Sequence, residues 1–279
     1  MGRQFGTVCA GCHGLDGGKQ LGVPPLGDIA RQNPVEVTHV IINGHPGGDM
    51  PALSALGTEQ VGRLLAYLQT LPGLNLAASI AHGGRLYADW QLEANAKRQS
   101  LPHPSYPKGS YCANDAAVTW RCNACHGQDY QGQQGGYASG RHATGIKGIR
   151  AMAGTDPARI VTVLRNSTHQ YGAVLTARDL QDLANFVSLG QVDMDAWIDR
   201  PLRRAKGSAE RGGPYYRTIC AGCHGLDGLR MTPPLARAAK ADPCGSLHAI
   251  LNGHPDESMP ALREIDIQTA TDLLAHVPG

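Results

Sequence analysis

Large apolar side chains are scarce in this chain. It has only two Phe and three Trp in 279 residues, and aromatics make up 5%. Aromatic rings normally dominate the packing of a core, so something other than side chains must fill much of the interior. Charge of one sign is also lacking. Lys and Arg exceed Asp and Glu by only +2, which gives no electrostatic footprint for a nucleic-acid partner. No apolar run approaches the length of a membrane span, so no transmembrane segment is expected. The stretch before Cys9 holds no charged or apolar leader. The sequence therefore reads as mature or truncated, with any signal upstream or removed. Glycine (36) and proline (18) are abundant instead, a composition suited to wrapping loops.

Six of the eight cysteines fall in three copies of one pentapeptide. These are Cys9-Ala10-Gly11-Cys12-His13, Cys122-Asn123-Ala124-Cys125-His126 and Cys220-Ala221-Gly222-Cys223-His224. C-x-x-C-H is the attachment sequence of c-type haem. The two thiols become thioethers, and the adjacent His is placed to ligate iron. A structural zinc site would need four paired N/S ligands, and a thioredoxin-like pair would need a β-α-β pattern around it. Neither is present. Three haem c groups, bound through Cys9, Cys12, Cys122, Cys125, Cys220 and Cys223, would also explain the aromatic deficit. Covalent attachment implies assembly in the periplasm or an equivalent extracytoplasmic space. Cys112 and Cys244 remain; in an oxidising compartment they could pair, or they could be two separate buried thiols.

The chain repeats internally. Residues 9–17 and 220–228 are both Cys-Ala-Gly-Cys-His-Gly-Leu-Asp-Gly. Pro24-Pro25-Leu26 answers Pro233-Pro234-Leu235, Asn43-Gly44-His45-Pro46 answers Asn252-Gly253-His254-Pro255, and Met50-Pro51-Ala52-Leu53 answers Met259-Pro260-Ala261-Leu262. The middle copy is diverged. Gly84-Arg85-Leu86-Tyr87 opens it, and a proline-bearing insertion over 94–119 delays its haem motif. The insertion is expected to wrap the surface. Asn33-Pro34, Asp156-Pro157 and Asp242-Pro243 each predict an N-cap followed by Pro at the first helical position. Gly44 and Gly253 predict helix stops. A last helix is expected over 58–71, 176–189 and 267–277.

This order of helix, haem loop, helix, ligand loop and helix resembles the class I c-type cytochrome family over nearly the whole chain. The resemblance implies an all-α protein of three tandem cytochrome c-like domains, at 1–73, 83–190 and 205–279, each wrapped around one haem with its terminal helices crossing. It implies proximal ligation by His13, His126 and His224. It also implies sixth ligands from a loop before the last helix, where Met50 and Met259 stand in Met-Pro pairs. A Met can equally fill core gaps, but these two share offset and context. His45 and His254 repeat nearby and read rather as turn residues. The family's Pro carbonyl that accepts from the proximal His corresponds to Pro25 and Pro234. Gly145-Ile146-Lys147 replaces that pattern in the middle domain, which leaves the partner there open. No Met-Pro occurs in the middle domain either. Alignment from Thr176 puts His169 next to the ligand position, with a bis-His iron as the result; His142, Met152 or an open site are the alternatives.

His/Met ligation raises a haem's potential relative to bis-His, so two higher-potential haems would flank a lower one. Six-coordinate irons favour electron transfer over catalysis. The expected role is a periplasmic relay, not an enzyme. It would take electrons from a dehydrogenase or quinol-linked donor and pass them to a small cytochrome, copper protein or oxidase. The architecture is also similar to three-domain cytochrome subunits of periplasmic dehydrogenases. A haem enzyme would need an open iron in the middle domain; Cys112 as a thiolate ligand is disfavoured by its place ahead of the motif.

Overall fold

The computed structural model describes residue 9 and residues 26–45, 50–69, 74–255 and 259–278. The chain divides into two compact units, Met1–Ala78 and Ser79–Gly279.

In the first unit, helix α1 (Leu26–Gln32) leads into α2 (Pro34–Asn43), and α3 (Gly57–Gln69) follows the ligand loop. Pro34 occupies the first helical turn, where a missing N–H costs nothing. Gly44 ends α2 at φ 78°, and its N–H returns to the Val40 carbonyl at 2.9 Å. Val37 and Ile41 of α2 and Val61, Leu64 and Leu68 of α3 bury one stripe each into a shared core. Cys9 and Met50 pack against that core.

The second unit opens with α4 (Leu74–Glu93), within which the division between the units falls. α4 breaks its regular geometry at Asp89 (φ −158°, ψ 89°). The reason is local: the Asp89 carboxylate accepts from the N–H groups of Gln91 (3.2 Å) and Leu92 (3.3 Å), so it acts as an N-cap that restarts the helix. Short helices α5 (Ala116–Thr119) and α6 (Cys122–His126) carry the middle haem motif, and α7 (Pro157–Arg165) and α8 (Ala177–Asn185) complete that region. Asp156 caps α7 through Ala158 N, and Thr176 with Asp179 forms a capping box on α8. α8 widens over Phe186–Gly190 instead of continuing regularly to 189.

A helical turn α9 (Met194–Trp197) and a two-stranded antiparallel ribbon, β1 (Ile198–Asp199) and β2 (Arg204–Ala205), lead to the last repeat. It consists of α10 (Ala209–Tyr215), α11 (Ala221–His224), α12 (Leu235–Ala241), α13 (Pro243–Asn252) and α14 (Ile267–His276). The fold is all-α apart from that ribbon, as the repeat pattern implied.

Glycine pairs set the helix crossings in this unit. A Cβ on Gly83 of α4 would overlap the Asp182 carbonyl of α8, and one on Gly212 of α10 would overlap the Asp272 carbonyl of α14. First and last helices therefore meet backbone to backbone in both repeats. A tyrosine repeats the pattern one turn on. Tyr87 donates to the Gly127 carbonyl at 2.7 Å, and Tyr216 donates to the Gly225 carbonyl at 2.8 Å. In each case the opening helix is tied to the glycine that follows the motif histidine.

Candidate haem site

The middle motif is the most fully described. α6 ends on His126 because Gly127 takes φ 84°, a left-handed conformation that favours glycine. This places Cys122, Cys125 and His126 on a single short turn. His126 Nδ1 lies 2.6 Å from the Lys147 carbonyl. Nδ1–H is the donor, so Nε2 keeps its lone pair. Lys147 thus takes the accepting role that the replaced Pro-Leu pattern left open. Burial pushes the His126 pKa down against this hydrogen bond, which favours the neutral ring that metals require.

The His169 ring faces it. The two ring centroids are 6.3 Å apart and the planes differ by 24°. Two metal–imidazole bonds of about 2 Å, plus roughly 1 Å from each nitrogen to its ring centre, also span about 6 Å. The separation of the two rings is thus of the size that a metal held by both would need. Burial, followed by the neighbouring His126 and His103, lowers the His169 pKa. His169 Nδ1 lies 3.2 Å from Asn166 Oδ1, and its backbone N–H donates to the same oxygen at 3.0 Å. Both histidines thus direct Nδ1–H into an oxygen acceptor, the arrangement that orients a ligating imidazole and raises its basicity.

Two contributors were not foreseen. Asn166 holds His169. The insertion does more than wrap the surface. His103 lies with Nε2 3.1 Å from the His169 carbonyl, and Ser105 Oγ donates to the Thr168 carbonyl at 2.8 Å. His103 itself packs edge-on to Trp120 at 4.4 Å. Trp120 is anchored in turn: Trp90 and Tyr171 both donate to its carbonyl, at 2.9 and 2.8 Å. The insertion's proline-rich sequence gave no sign of this. The alternative ligands lie elsewhere: His142 stacks on Tyr137, and Met152 packs against the hydrophobic core.

Burial pushes the Cys122 and Cys125 thiols up to about 12 each. Tyr171 Oη lies 3.8 Å from Cys122 Sγ.

The outer repeats share one ligand-loop geometry. A Cβ on Gly44 would stand 2.8 Å from the Met50 carbonyl, and one on Gly253 would stand 2.7 Å from the Met259 carbonyl. Leu53 N donates to the Ile41 carbonyl at 2.9 Å, and Leu262 N to the Ile250 carbonyl at 3.0 Å. Each methionine thus sits at the same point of the same loop. Gly225 ends α11 at φ 82°, matching Gly127. The Pro234 carbonyl accepts from Ala238 N at 3.0 Å in the first turn of α12. Cys12, His13 and Pro25 lie outside the described residues. Cys112 and Cys244 are free thiols, so the possible bridge is not formed. No helix among the described residues is long and apolar enough to cross a membrane.

Among known proteins, residues 2–68 and 207–277 match the family model described as cytochrome C oxidase, cbb3-type, subunit III. The two segments coincide with the outer repeats, and the diverged middle region lies between them. No curated protein and no solved structure matches the chain. Taken with the C-x-x-C-H motifs, the match supports a c-type cytochrome, an electron-transfer protein whose domains hold covalently bound haem c.

Proposed function

We propose that the chain is an extracytoplasmic three-haem electron carrier with three cytochrome domains, one per C-x-x-C-H motif. His13 with Met50 and His224 with Met259 ligate the outer irons, and His126 with His169 ligates the middle one. The facing histidine rings, 6.3 Å apart, carry this reading most directly. They leave no axial position for a substrate, so the middle site favours outer-sphere electron transfer over catalysis. When bound, haem c supplies a one-electron ferric/ferrous couple. The protein's part is to hold the axial nitrogens with Lys147 and Asn166, and to keep water away with the Trp90, Trp120 and Tyr171 cluster.

Thioether ligands at the outer irons raise their potentials relative to the middle one. Donors are a dehydrogenase or quinol-linked protein. Among small cytochromes, copper proteins and oxidases as acceptors, the likeness of the outer repeats to an oxidase subunit favours a terminal oxidase.

Intact-mass measurement should find three haems, and the ferrous protein should not bind carbon monoxide. His169→Ala should open the middle iron to carbon monoxide with three haems still attached, whereas His142→Ala should not. Ready carbon monoxide binding by the unaltered protein would overturn the six-coordinate assignment.

A further inference from the structure

The segment that carries Met259 runs from Asn252 to Arg263, and these two residues are bonded to each other across its base. Arg263 Nε and Nη2 donate to Asn252 Oδ1 at 3.0 and 2.8 Å. Asn252 is fixed by its own helix: its Nδ2 donates to the His248 carbonyl at 2.8 Å, one turn back on α13. That leaves Oδ1 for the arginine. Met259 stands seven positions after one end of this closure and four before the other. Bonds from a guanidinium are charge-assisted, stronger and more directional than neutral ones, so the base of the segment has little freedom.

The closure is anchored outside the segment at two points. Arg263 Nη2 also donates to the Gly190 carbonyl at 2.6 Å, where the widened stretch of α8 ends. Arg85 of α4 donates through Nη1 to the Asn252 carbonyl at 2.9 Å, and its Nε is held by Glu93 at 2.7 Å. The guanidinium of Arg263 lies over the Phe186 ring, 5.8 Å from its centre. Gly190 makes room for it: a Cβ there would stand 2.7 Å from Phe186 Cδ2 and 3.3 Å from Arg263 Nη2. The seat of Met259 is thus tied to two helices of the middle region as well as to its own repeat.

The first repeat supplies a built-in control. Its ligand loop keeps the same main-chain bond, from Leu53 N as from Leu262 N, and the same close approach of Gly44 and Gly253 to the methionine carbonyl. Asn43 also sets its amide as Asn252 does, donating to the His39 carbonyl at 3.1 Å. The position matching Arg263 is Ser54, whose single hydroxyl cannot supply the three bonds that the arginine makes. The two methionine loops therefore share their main chain and differ in this cation.

We propose that Arg263 is a positioning residue for the last haem: it locks the Met259 loop against the middle region, so that the Met259–iron bond opens more slowly than the Met50–iron bond. This rests on the reading of both methionines as sixth ligands. An external ligand reaches such an iron only after the thioether has left. The two outer sites would then differ in exchange rate while sharing one ligand set.

Cyanide binding to the ferric, haem-loaded full chain tests this, followed through the near-infrared band of methionine–iron coordination. The unaltered protein should lose the band in two phases, and Met259→Ala should remove the slower one. Arg263→Met keeps an unbranched side chain without donors. It should speed the slower phase by about tenfold, the size of one lost hydrogen bond, and leave the faster phase unchanged. If that variant folds poorly, Arg263→Lys, which keeps the charge but not the fork, should speed the same phase. The proposal fails if the band is lost in a single phase, if Met259→Ala removes the faster phase, or if the slower phase keeps its rate when Arg263 is replaced. A band that Met259→Ala leaves undiminished would overturn the ligand reading itself, and the proposal with it.

Discussion

Helices α2 and α13 are two copies of one ten-residue segment, PVEVTHVIIN and PCGSLHAILN, in opposite surroundings. On α2, His39 and Asn43 are exposed, and among the described residues they bond to each other, at 3.1 Å. On α13, the matching His248 and Asn252 are 2% and 0% exposed. His248 Nδ1 lies 2.8 Å from the Tyr130 hydroxyl, and His248 Nε2 lies 2.9 Å from the Gly84 carbonyl. Nε2–H must therefore donate to Gly84, and Tyr130 donates to Nδ1. Asn252 accepts from Arg263 through its side chain and from Arg85 through its carbonyl, at 3.0 and 2.9 Å. The helix itself does not decide between these fates. Within the second unit, a glycine and a tyrosine of the middle region receive α13.

Gly84 is the sharpest way to break the difference. A Cβ there would overlap Asn252, which Arg263 and His248 hold in place. Gly84→Ala should cost about 3–4 kcal/mol in denaturant unfolding of the second unit, the range of a core overpacking that cannot relax. A cost under about 1 kcal/mol would mean that α13 shifts freely on its support.

Acid probes the same contact. Burial first, then Arg263 and His254, pushes the His248 pKa down to about 4, against the Gly84 hydrogen bond. The folded protein thus keeps this ring neutral where the unfolded chain, at about 6.5, takes up a proton. The stabilisation from its neutral burial is full above pH ~6.5 and declines as pH falls toward ~4, by roughly 3 kcal/mol over that window. A His248→Gln variant should flatten this part of the stability–pH profile; an unchanged profile would show that other groups carry the acid response.

Side-chain removal at the paired positions should give unequal costs. His248→Ala should lose about 2 kcal/mol, through a cavity and two stranded partners. His39→Ala should stay within about 0.5 kcal/mol, as an exposed substitution does. Equal losses measured by urea unfolding would contradict the burial difference.

The same helices show what the sequence disclosed. Asn33-Pro34, Asp156-Pro157 and Asp242-Pro243 marked the starts of α2, α7 and α13, and Gly44 and Gly253 marked two ends, because caps and breakers act through their immediate neighbours. Even so, Asp156 and Asp242 cap through their side chains while Asn33 does not. The facing of His169 toward His126 could be approached by alignment because both lie in repeated frames. The parts that depended on distant segments were not legible. Nothing local tells that His103 reaches the His169 carbonyl 66 positions away, that Lys147 serves His126, or that His248 is buried and His39 exposed. Period and motif carry no information about which surface meets which.

Tyr130→Phe is the gentlest break and the most specific. Tyr130 is 0% exposed and lies in a cluster with Tyr87, Phe186 and His248, with ring centroids 5.6, 5.7 and 6.0 Å from its own. Phenylalanine keeps those ring contacts and removes only the hydroxyl. Its direct loss is one hydrogen bond to a buried acceptor, about 1 kcal/mol, because His248 Nδ1 is then left without its donor. In the His248→Leu background the acceptor is gone, so the same Tyr130→Phe change should cost close to nothing. A double-mutant cycle in guanidinium should therefore give a coupling of about 1 kcal/mol. In the last repeat the position matching Tyr130 is Gly228, so the haem motif itself does not require a hydroxyl there. If the cycle gives no coupling, the Tyr130–His248 bond does not stabilise the seat of α13, and the burial of this helix rests on its apolar packing and on Gly84 alone.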